Sequence, residues 1–116
     1  MSAASTTRFG RVLLSARDQH LVVDGPVQNG CPGEALTPAE LFLGGVASCA
    51  VELVQVLARD TGVPIERVEA SIEGTIDRAH EIRDDVTVFS SVHLDFTLYG
   101  VDDDQASALV DVFEHR

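Results

Sequence analysis

The sequence contains few cysteines, little positive charge and no long uninterrupted apolar run. Its two cysteines, Cys31 and Cys49, are too few for the disulfide framework of a small secreted protein, so either one would act as a thiol. The eight basic residues are all arginines and the formal net charge is −11, which disfavours binding to nucleic acid. Neither a secretory signal nor an apolar run of about 18 residues is present. We therefore expect a soluble cytoplasmic protein that does not bind a membrane.

The sequence also lacks the motifs of metal and phosphate sites. Its four histidines share no metal-ligand spacing. No Gly-x-Gly-x-x-Gly occurs, and the pair Gly44–Gly45 lies inside a predicted helix. We expect neither a metal nor a cofactor. Without repeats or low-complexity segments, and with 45% hydrophobic residues, the 116 residues predict a single domain over 1–116.

A long central helix is the clearest element that the sequence predicts. Thr37 supplies an N-cap hydroxyl, Pro38 suits the first helical position, and Glu40 completes the pattern of a capping box. Gly62 follows as a natural C-terminal cap. These signals predict a helix from Pro38 to about Thr61.

The apolar residues of this helix cover most of its circumference rather than one stripe. They are Leu41, Phe42, Leu43, Val46, Ala47, Cys49, Ala50, Val51, Leu53, Val54, Val56 and Leu57. A helix that is apolar on all sides must be enclosed on all sides. At about 1.5 Å per residue the helix is also too long for so small a domain to enclose alone. We therefore expect a homodimer, in which a second copy of the chain completes the enclosure.

Strand patterns flank the helix on both sides. Arg8–Ser15 and His20–Asp24 predict a hairpin with an open turn, and a loop rich in glycine and proline follows. After the helix, apolar residues alternate with polar ones over 68–77 and 86–98. A last helix opens at Asp102, with its apolar stripe at Ala106, Leu109, Val110 and Phe113. The order predicts an α+β fold with antiparallel strands.

Cys49 is the first candidate for chemistry, and the residues alone leave its role open. A lone cysteine on an apolar helix is usually an inert small hydrophobe, and Cys49 lies too deep in the helix for the N-terminal dipole to activate it. Each glycine of the pair Gly44–Gly45 costs about 1 kcal/mol in a helix interior. Close packing of another helix would explain the pair, and so would space for a ligand.

Three parts of the sequence carry a family resemblance: Asp24-Gly25-Pro26, Gly30 and the run from Leu36 to Cys49. They resemble the OsmC/Ohr family, which comprises osmotically inducible and organic hydroperoxide resistance proteins. The family's central helix opens with a Pro-x-Glu-Leu segment and reaches an Ala-Ser-Cys segment. The resemblance covers most of the chain, and its most specific part is the spacing from Pro38 to Cys49. It implies antiparallel strands around a long central helix, in an intertwined homodimer with active sites at the subunit interface.

What the resemblance implies for chemistry is a two-thiol peroxidase that reduces organic hydroperoxides. Cys49 matches the attacking thiol, which becomes a sulfenic acid and then a disulfide with a second cysteine. Arg17, in the predicted hairpin, is the nearest match to the arginine that holds the thiolate; its alternative is a solvated turn residue. Positive charge suits both the thiolate and the leaving oxyanion.

Two departures place the chain nearer the broad OsmC-like branch. The hydroperoxide resistance branch has a glutamate ten residues before the cysteine, where this chain has Ala39. The adjacent Glu40 is a weak catalytic candidate, because the capping box already accounts for it. The family's resolving Cys-Pro pair lies just beyond the last helix, where this chain ends at Arg116, so we expect the chain to lack the C-terminal end of the family fold. Cys31 is a weak alternative as resolving thiol, and an incidental exposed thiol is the other interpretation.

Two functions follow as hypotheses. The first is a cysteine-based peroxidase that reduces organic hydroperoxides in oxidative stress defence and is recycled by a dithiol reductant. The second is a non-catalytic OsmC-like dimer that binds an apolar small molecule in the interface pocket. A purely structural dimerisation module with an inert Cys49 is a third possibility.

Overall fold

The protein was analysed as a computed structural model, which describes residues 1–77, 79 and 89–115. The chain forms two compact units, residues 1–42 and residues 43–116. The predicted strand positions Val86 and Val88, most of the connection at 78–85 and His80 lie outside the described residues.

A three-stranded antiparallel sheet forms most of the first unit. Its strands are β1 (Ser2–Ser5), β2 (Arg11–Ala16) and β3 (Gln19–Asp24), in the order β1-β2-β3. The predicted hairpin is present, but its first strand begins at Arg11 rather than Arg8, because Gly10 takes a left-handed conformation with φ of +80°. Its turn is tight rather than open, since pairing continues up to Ala16 and Gln19. The sequence pattern did not predict β1.

The breaker-rich loop after β3 is irregular, as its glycines and prolines predict. It contains one turn of 3-10 helix at Val27–Asn29, which ends at Gly30 with φ of +76°. Near the start of the loop, the backbone N–H of Gly25 donates to the carbonyl of Gly10 at 2.8 Å. This bond ties the loop to the residue just before β2.

The central helix, α1 (Pro38–Thr61), has the predicted bounds. Its capping box is formed in both directions: the Glu40 N–H donates to Thr37 Oγ1 at 3.2 Å, and the Thr37 N–H donates to Glu40 Oε1 at 3.1 Å. At the other end Gly62 takes φ of +72°, a left-handed conformation that ends the helix without strain.

The rest of the second unit consists of a strand pair and a helix. β4 (Arg67–Thr75) and β5 (Ser91–Tyr99) pair antiparallel, with Arg67 opposite Tyr99 and Thr75 opposite Ser91. Half-buried and exposed residues alternate along β4, as the period-two pattern predicts. The last helix, α2 (Asp103–Glu114), begins after an Asp102 cap. The α+β class and the antiparallel pairing are confirmed.

The core of the second unit joins α1 to α2. Leu57, Ala58 and Leu109 are buried together, and several partly buried residues pack on them: Leu53, Val63, Ile65, Leu98 and Phe113. The ring of Phe113 meets that of Phe96 edge to face, with centroids 5.3 Å apart. Leu109 and Phe113 belong to the apolar stripe that the sequence predicts for this helix.

Burial along α1 is confined to its second half. The buried residues are Ala50, Val54, Leu57 and Ala58. In the first turns Phe42 is 58% exposed, although its neighbours are apolar. By length and composition alone α1 could cross a membrane; its packing against α2 is instead typical of a core helix in a soluble fold.

Gly74 allows a close approach between β4 and its neighbours, and this yields a stability prediction. A Cβ at this position would lie 2.6 Å from Phe89 Cε1 and 3.0 Å from Leu43 Cδ2. We expect Gly74→Ala to lower the free energy of unfolding by about 1–3 kcal/mol, because the Phe89 ring must shift. Urea denaturation measures the change. Glu73→Ala, an exposed neighbour, serves as the control and should stay within about 0.5 kcal/mol of the parent; equal effects of the two variants would contradict the packing argument.

Candidate functional site

Cys49 lies on an open surface of α1. Its side chain is exposed and is not part of a disulfide. One turn earlier, a Cβ added to Gly44 or Gly45 would meet no described atom within 4 Å outside the helix's own nearby backbone. The hydroxyl of Ser48, next to Cys49 in the chain, is not free, because it donates a hydrogen bond to the Gly45 carbonyl at 3.0 Å. The thiol is therefore accessible to a small molecule in this chain.

Arg17 occupies the tight turn between β2 and β3. Its φ is +56°, and it is the one non-glycine residue with positive φ in the described part of the chain. Its side chain is exposed, and within the described residues it has no ion pair. The guanidinium is thus available to a ligand or to another part of the protein.

Glu40 has a structural role that the geometry accounts for. Its carboxylate accepts the Thr37 backbone N–H, and this bond, with that to the Thr37 side chain, lowers the pKa of Glu40. Ala39 is exposed in the same turn. The capping role predicted for Glu40 is confirmed, and its catalytic role stays a prediction.

Cys31 is half-buried rather than fully exposed, which corrects the picture of an incidental exposed thiol. Its side chain occupies a notch between Gly10 and Gly25, where a Cβ on either glycine would collide with Cys31 Sγ. The thiol also lies 3.8 Å from the Asn29 carbonyl, to which it can donate. Glycine at both positions therefore makes room for this side chain.

Asp24 is the charged residue that sequence reasoning missed. Its side chain is fully buried. Its oxygens Oδ1 and Oδ2 accept hydrogen bonds from Nε and Nη2 of Arg11, each at 2.8 Å. Oδ2 also accepts the backbone N–H groups of Glu34 at 2.9 Å and Ala35 at 3.1 Å. These donors, first of all the Arg11 guanidinium, hold the pKa of Asp24 well below its usual range, and Asp24 in turn raises the pKa of Arg11.

The hairpin pattern already contained the signal for this pair. In a hairpin whose turn centres between Arg17 and Asp18, Arg11 lies opposite Asp24. Charge complementarity across the predicted register would have identified it.

The candidate residues fall in the two units separately. Arg17, Cys31 and Glu40 belong to residues 1–42, and Cys49 belongs to residues 43–116. On β5, His93 Nε2 lies 3.2 Å from the Asp95 carboxylate, at the exposed surface. The described residues contain no group of three or more histidine, cysteine or acidic side chains that could hold a metal ion.

The family model of the OsmC-like proteins matches residues 31–116, which include the loop after β3, α1, both strands of the second unit and α2. The chain belongs to the OsmC-like protein family. The match begins at Cys31 and includes Cys49, so both cysteines lie within the matched region. No curated protein sequence is significantly similar to this chain.

Solved structures of OsmC-like proteins have the same fold. The chain is similar to an OsmC-like protein from Mycoplasma pneumoniae, with a TM-score of 0.81 and 13% identity over 99% of this chain and 79% of that one. It is also similar to an organic hydroperoxide resistance protein OsmC from Legionella pneumophila, with a TM-score of 0.72 and 22% identity over 98% and 80%. A third is the organic hydroperoxide resistance protein OhrB of Bacillus subtilis, with a TM-score of 0.66 and 19% identity over 98% and 81%.

Proposed function

We propose that this OsmC-like protein is a soluble cytoplasmic peroxidase that reduces organic hydroperoxides to alcohols, with Cys49 as the nucleophile. The observation that carries the proposal is the exposed thiol of Cys49 one turn after two glycines, on the apolar helix that lies within the family match. Two structurally similar proteins are described as organic hydroperoxide resistance proteins. An accessible thiol in apolar surroundings suits an alkyl hydroperoxide better than hydrogen peroxide.

The reaction consists of one displacement followed by a thiol exchange. The Cys49 thiolate attacks the distal oxygen of the hydroperoxide, the O–O bond breaks, and the alkoxide takes a proton and leaves as an alcohol. Cys49 is now a sulfenic acid. One thiol of a dithiol reductant condenses with it and releases water, and the second thiol then displaces Cys49 as the reduced thiol, leaving the reductant as a disulfide.

Arg17 is assigned to the charged intermediates of this reaction. A guanidinium near the thiolate lowers the thiol pKa, and the same charge stabilises the departing alkoxide. The exposed position of Arg17 in a tight turn, without an ion pair in the described part of the chain, supports this role. The weaker candidates, Glu40 as a catalytic group and Cys31 as resolving thiol, remain predictions.

The proposal includes a second copy of the chain as a partner. The apolar first half of α1 contains no fully buried residue in the single chain, with Phe42 58% exposed and open space at Gly44 and Gly45. A second α1 packed there would bury this surface, and glycines let two helices approach closely. The same enclosure would form an apolar pocket around the exposed thiol of Cys49.

Trapping of the oxidised thiol tests the proposed function. The reduced chain is mixed with one equivalent of cumene hydroperoxide in the presence of dimedone, and the products are analysed by peptide mass spectrometry and chromatography. We expect one cumyl alcohol per modified Cys49, formed faster than the corresponding modification by hydrogen peroxide. The Cys31 peptide is the internal control. Unconsumed hydroperoxide, or modification at Cys31 alone, would contradict the proposal.

The alternative function is a non-catalytic OsmC-like dimer that binds an apolar small molecule. It is favoured by Ala39, because this position, ten residues before Cys49, supplies no carboxylate. The carboxylate of the adjacent Glu40 already accepts the Thr37 N–H in the capping box. This alternative predicts that the hydroperoxide is not consumed, while the apolar dye 8-anilinonaphthalene-1-sulfonate binds and is displaced by a long-chain alcohol. Consumption of hydroperoxide by Cys49 would exclude it.

A further inference from the structure

We propose that Glu52 is a specificity-determining residue beside Cys49, and that it favours uncharged organic hydroperoxides over those that carry a carboxylate. The inference rests on the proposed function for its meaning in catalysis, since it names the class of hydroperoxide that the same thiol accepts. The residues that carry it, Gly45, Cys49 and Glu52, lie on one continuous helix within the second unit.

Cys49 and Glu52 share the exposed face of α1. They are three residues apart, so their Cβ atoms are about 5–6 Å from each other on the helix surface. Both residues are exposed. The buried residues that follow Cys49, among them Ala50, Val54 and Leu57, lie on another face of the helix. The Glu52 carboxylate and the Cys49 thiol therefore meet the same solvent-facing space.

Glu52 is the one charged residue of α1 within a turn of Cys49. The other residues three or four positions from Cys49 carry neither a charge nor a polar side-chain group: Gly45, Val46 and Leu53. Glu52 forms no ion pair within the residues that the structure describes. The arginine of the same helix, Arg59, lies two turns beyond Glu52 and pairs with Asp60 at 3.0 Å. No positive charge of α1 therefore neutralises the Glu52 carboxylate.

A negative charge this close to the thiol acts on the charge of the molecule that approaches it. A carboxylate about 8 Å from that of Glu52 is repelled strongly enough to slow its reaction by about 3-fold at low ionic strength. One turn before Cys49, a Cβ on Gly45 would meet no described atom within 4 Å outside the helix's own nearby backbone. This side offers space and no charge, so an uncharged hydroperoxide approaches without repulsion.

Two alkylating reagents of different charge test this inference. Iodoacetate and iodoacetamide attack the same thiolate and differ by one negative charge, so the ratio of their rates at one pH does not depend on the ionised fraction of the thiol. Peptide mass spectrometry measures both rates for Cys49 alone. We expect the ratio of the iodoacetate rate to the iodoacetamide rate to rise about 3-fold over the parent in Glu52→Gln and about 10-fold in Glu52→Lys. Both rises should disappear in about 1 M NaCl, because salt screens exposed charges.

Asp60→Asn is the matched control for the loss of one negative charge. Asp60 is exposed on the same helix, about 16 Å along the axis from Cys49. That distance exceeds the Debye length of about 10 Å in 0.1 M salt, so the ratio should stay at the parent value. An equal ratio in the parent and both Glu52 variants would overturn the inference. An equal rise in Asp60→Asn, or a rise that persists in about 1 M NaCl, would overturn it as well.

A matched pair of hydroperoxides extends the test to the proposed substrates. Cumene hydroperoxide is uncharged, and its para-carboxylate carries one negative charge at neutral pH. Glu52→Gln should raise the single-turnover rate with the carboxylate by about 3-fold relative to that with the neutral compound; an unchanged ratio would overturn the substrate assignment. Alkylation needs no hydroperoxide. A parent that consumes neither compound therefore refutes the proposed function, while the alkylation ratios still decide whether Glu52 repels anions from Cys49.

Discussion

A Cys49→Ser variant is expected to reduce cumene hydroperoxide at least about 1,000-fold more slowly than the parent chain, because a serine hydroxyl is a far weaker nucleophile and cannot accept the oxygen as a sulfenic acid does. Stopped-flow mixing at excess protein measures the single-turnover rate. The substitution exchanges sulfur for oxygen on an exposed helix position, so folding should be retained. Sedimentation equilibrium on both proteins would verify that they share one oligomeric state.

Cys31→Ser is the matched control for this experiment. Serine is close in size to cysteine and fits the notch at Gly10 and Gly25, so the packing of the loop should persist. The first turnover should be close to that of the parent, because Cys31 does not attack the hydroperoxide. If Cys49→Ser consumes hydroperoxide as fast as the parent, the assignment of the nucleophile is wrong. If only Cys31→Ser loses activity, Cys31 carries the reaction instead.

The second large effect is expected at Arg17. Arg17→Ala should slow the single-turnover reduction of cumene hydroperoxide by about 100-fold, because it removes the positive charge that stabilises the thiolate and the leaving alkoxide. Arg17→Lys keeps the charge but loses the planar fork of donors, and should recover part of the rate. Stopped-flow mixing at excess protein measures the rate of each variant.

Arg59→Ala provides the control for the loss of one positive charge. Arg59 is exposed near the end of α1 and pairs with Asp60 at 3.0 Å, so it is part of a surface ion pair of small energetic value. Its removal should leave the rate unchanged. An equal loss of rate in both variants would show that net charge, rather than the Arg17 guanidinium, governs the reaction.

The sequence was most informative where local rules decide the structure. The bounds of α1 follow from Thr37, Pro38, Glu40 and Gly62, all of which act within one or two turns of themselves. The alternation of β4 and the Asp102 start of α2 are equally local. Such signals do not depend on which other segments are nearby, so the pattern alone was sufficient.

Features that depend on distant partners were harder to predict. β1 consists of two serines and two alanines with no apolar alternation, and it forms because β2 offers it an edge, with Ser2 opposite Ser15. The burial of Asp24 depends on four donors from two other segments, β2 and the loop after β3, and no propensity scale describes that environment. The notch of Cys31 likewise requires Gly10, which lies far from it in the chain.

For the candidate site, the sequence identified residues rather than their arrangement. Cys49 stood out because a glycine pair precedes it on an apolar helix, and its exposure agrees with a chemical role. Glu40 was correctly assigned to the cap because its spacing from Thr37 is a local rule. The accessibility of a side chain, and the donors from which a carboxylate accepts hydrogen bonds, depend on the tertiary structure. They could not be deduced from the single sequence.

The left-handed backbone of Arg17 affects how the protein can be engineered for heat tolerance. A non-glycine residue at φ of +56° costs roughly 1–2 kcal/mol compared with the same turn built from glycine. A screen for thermostability would therefore favour glycine or asparagine at this turn, and would remove the guanidinium while the melting temperature rises. Selection for resistance to hydroperoxides would instead retain Arg17. The two selections would therefore favour different residues at this turn.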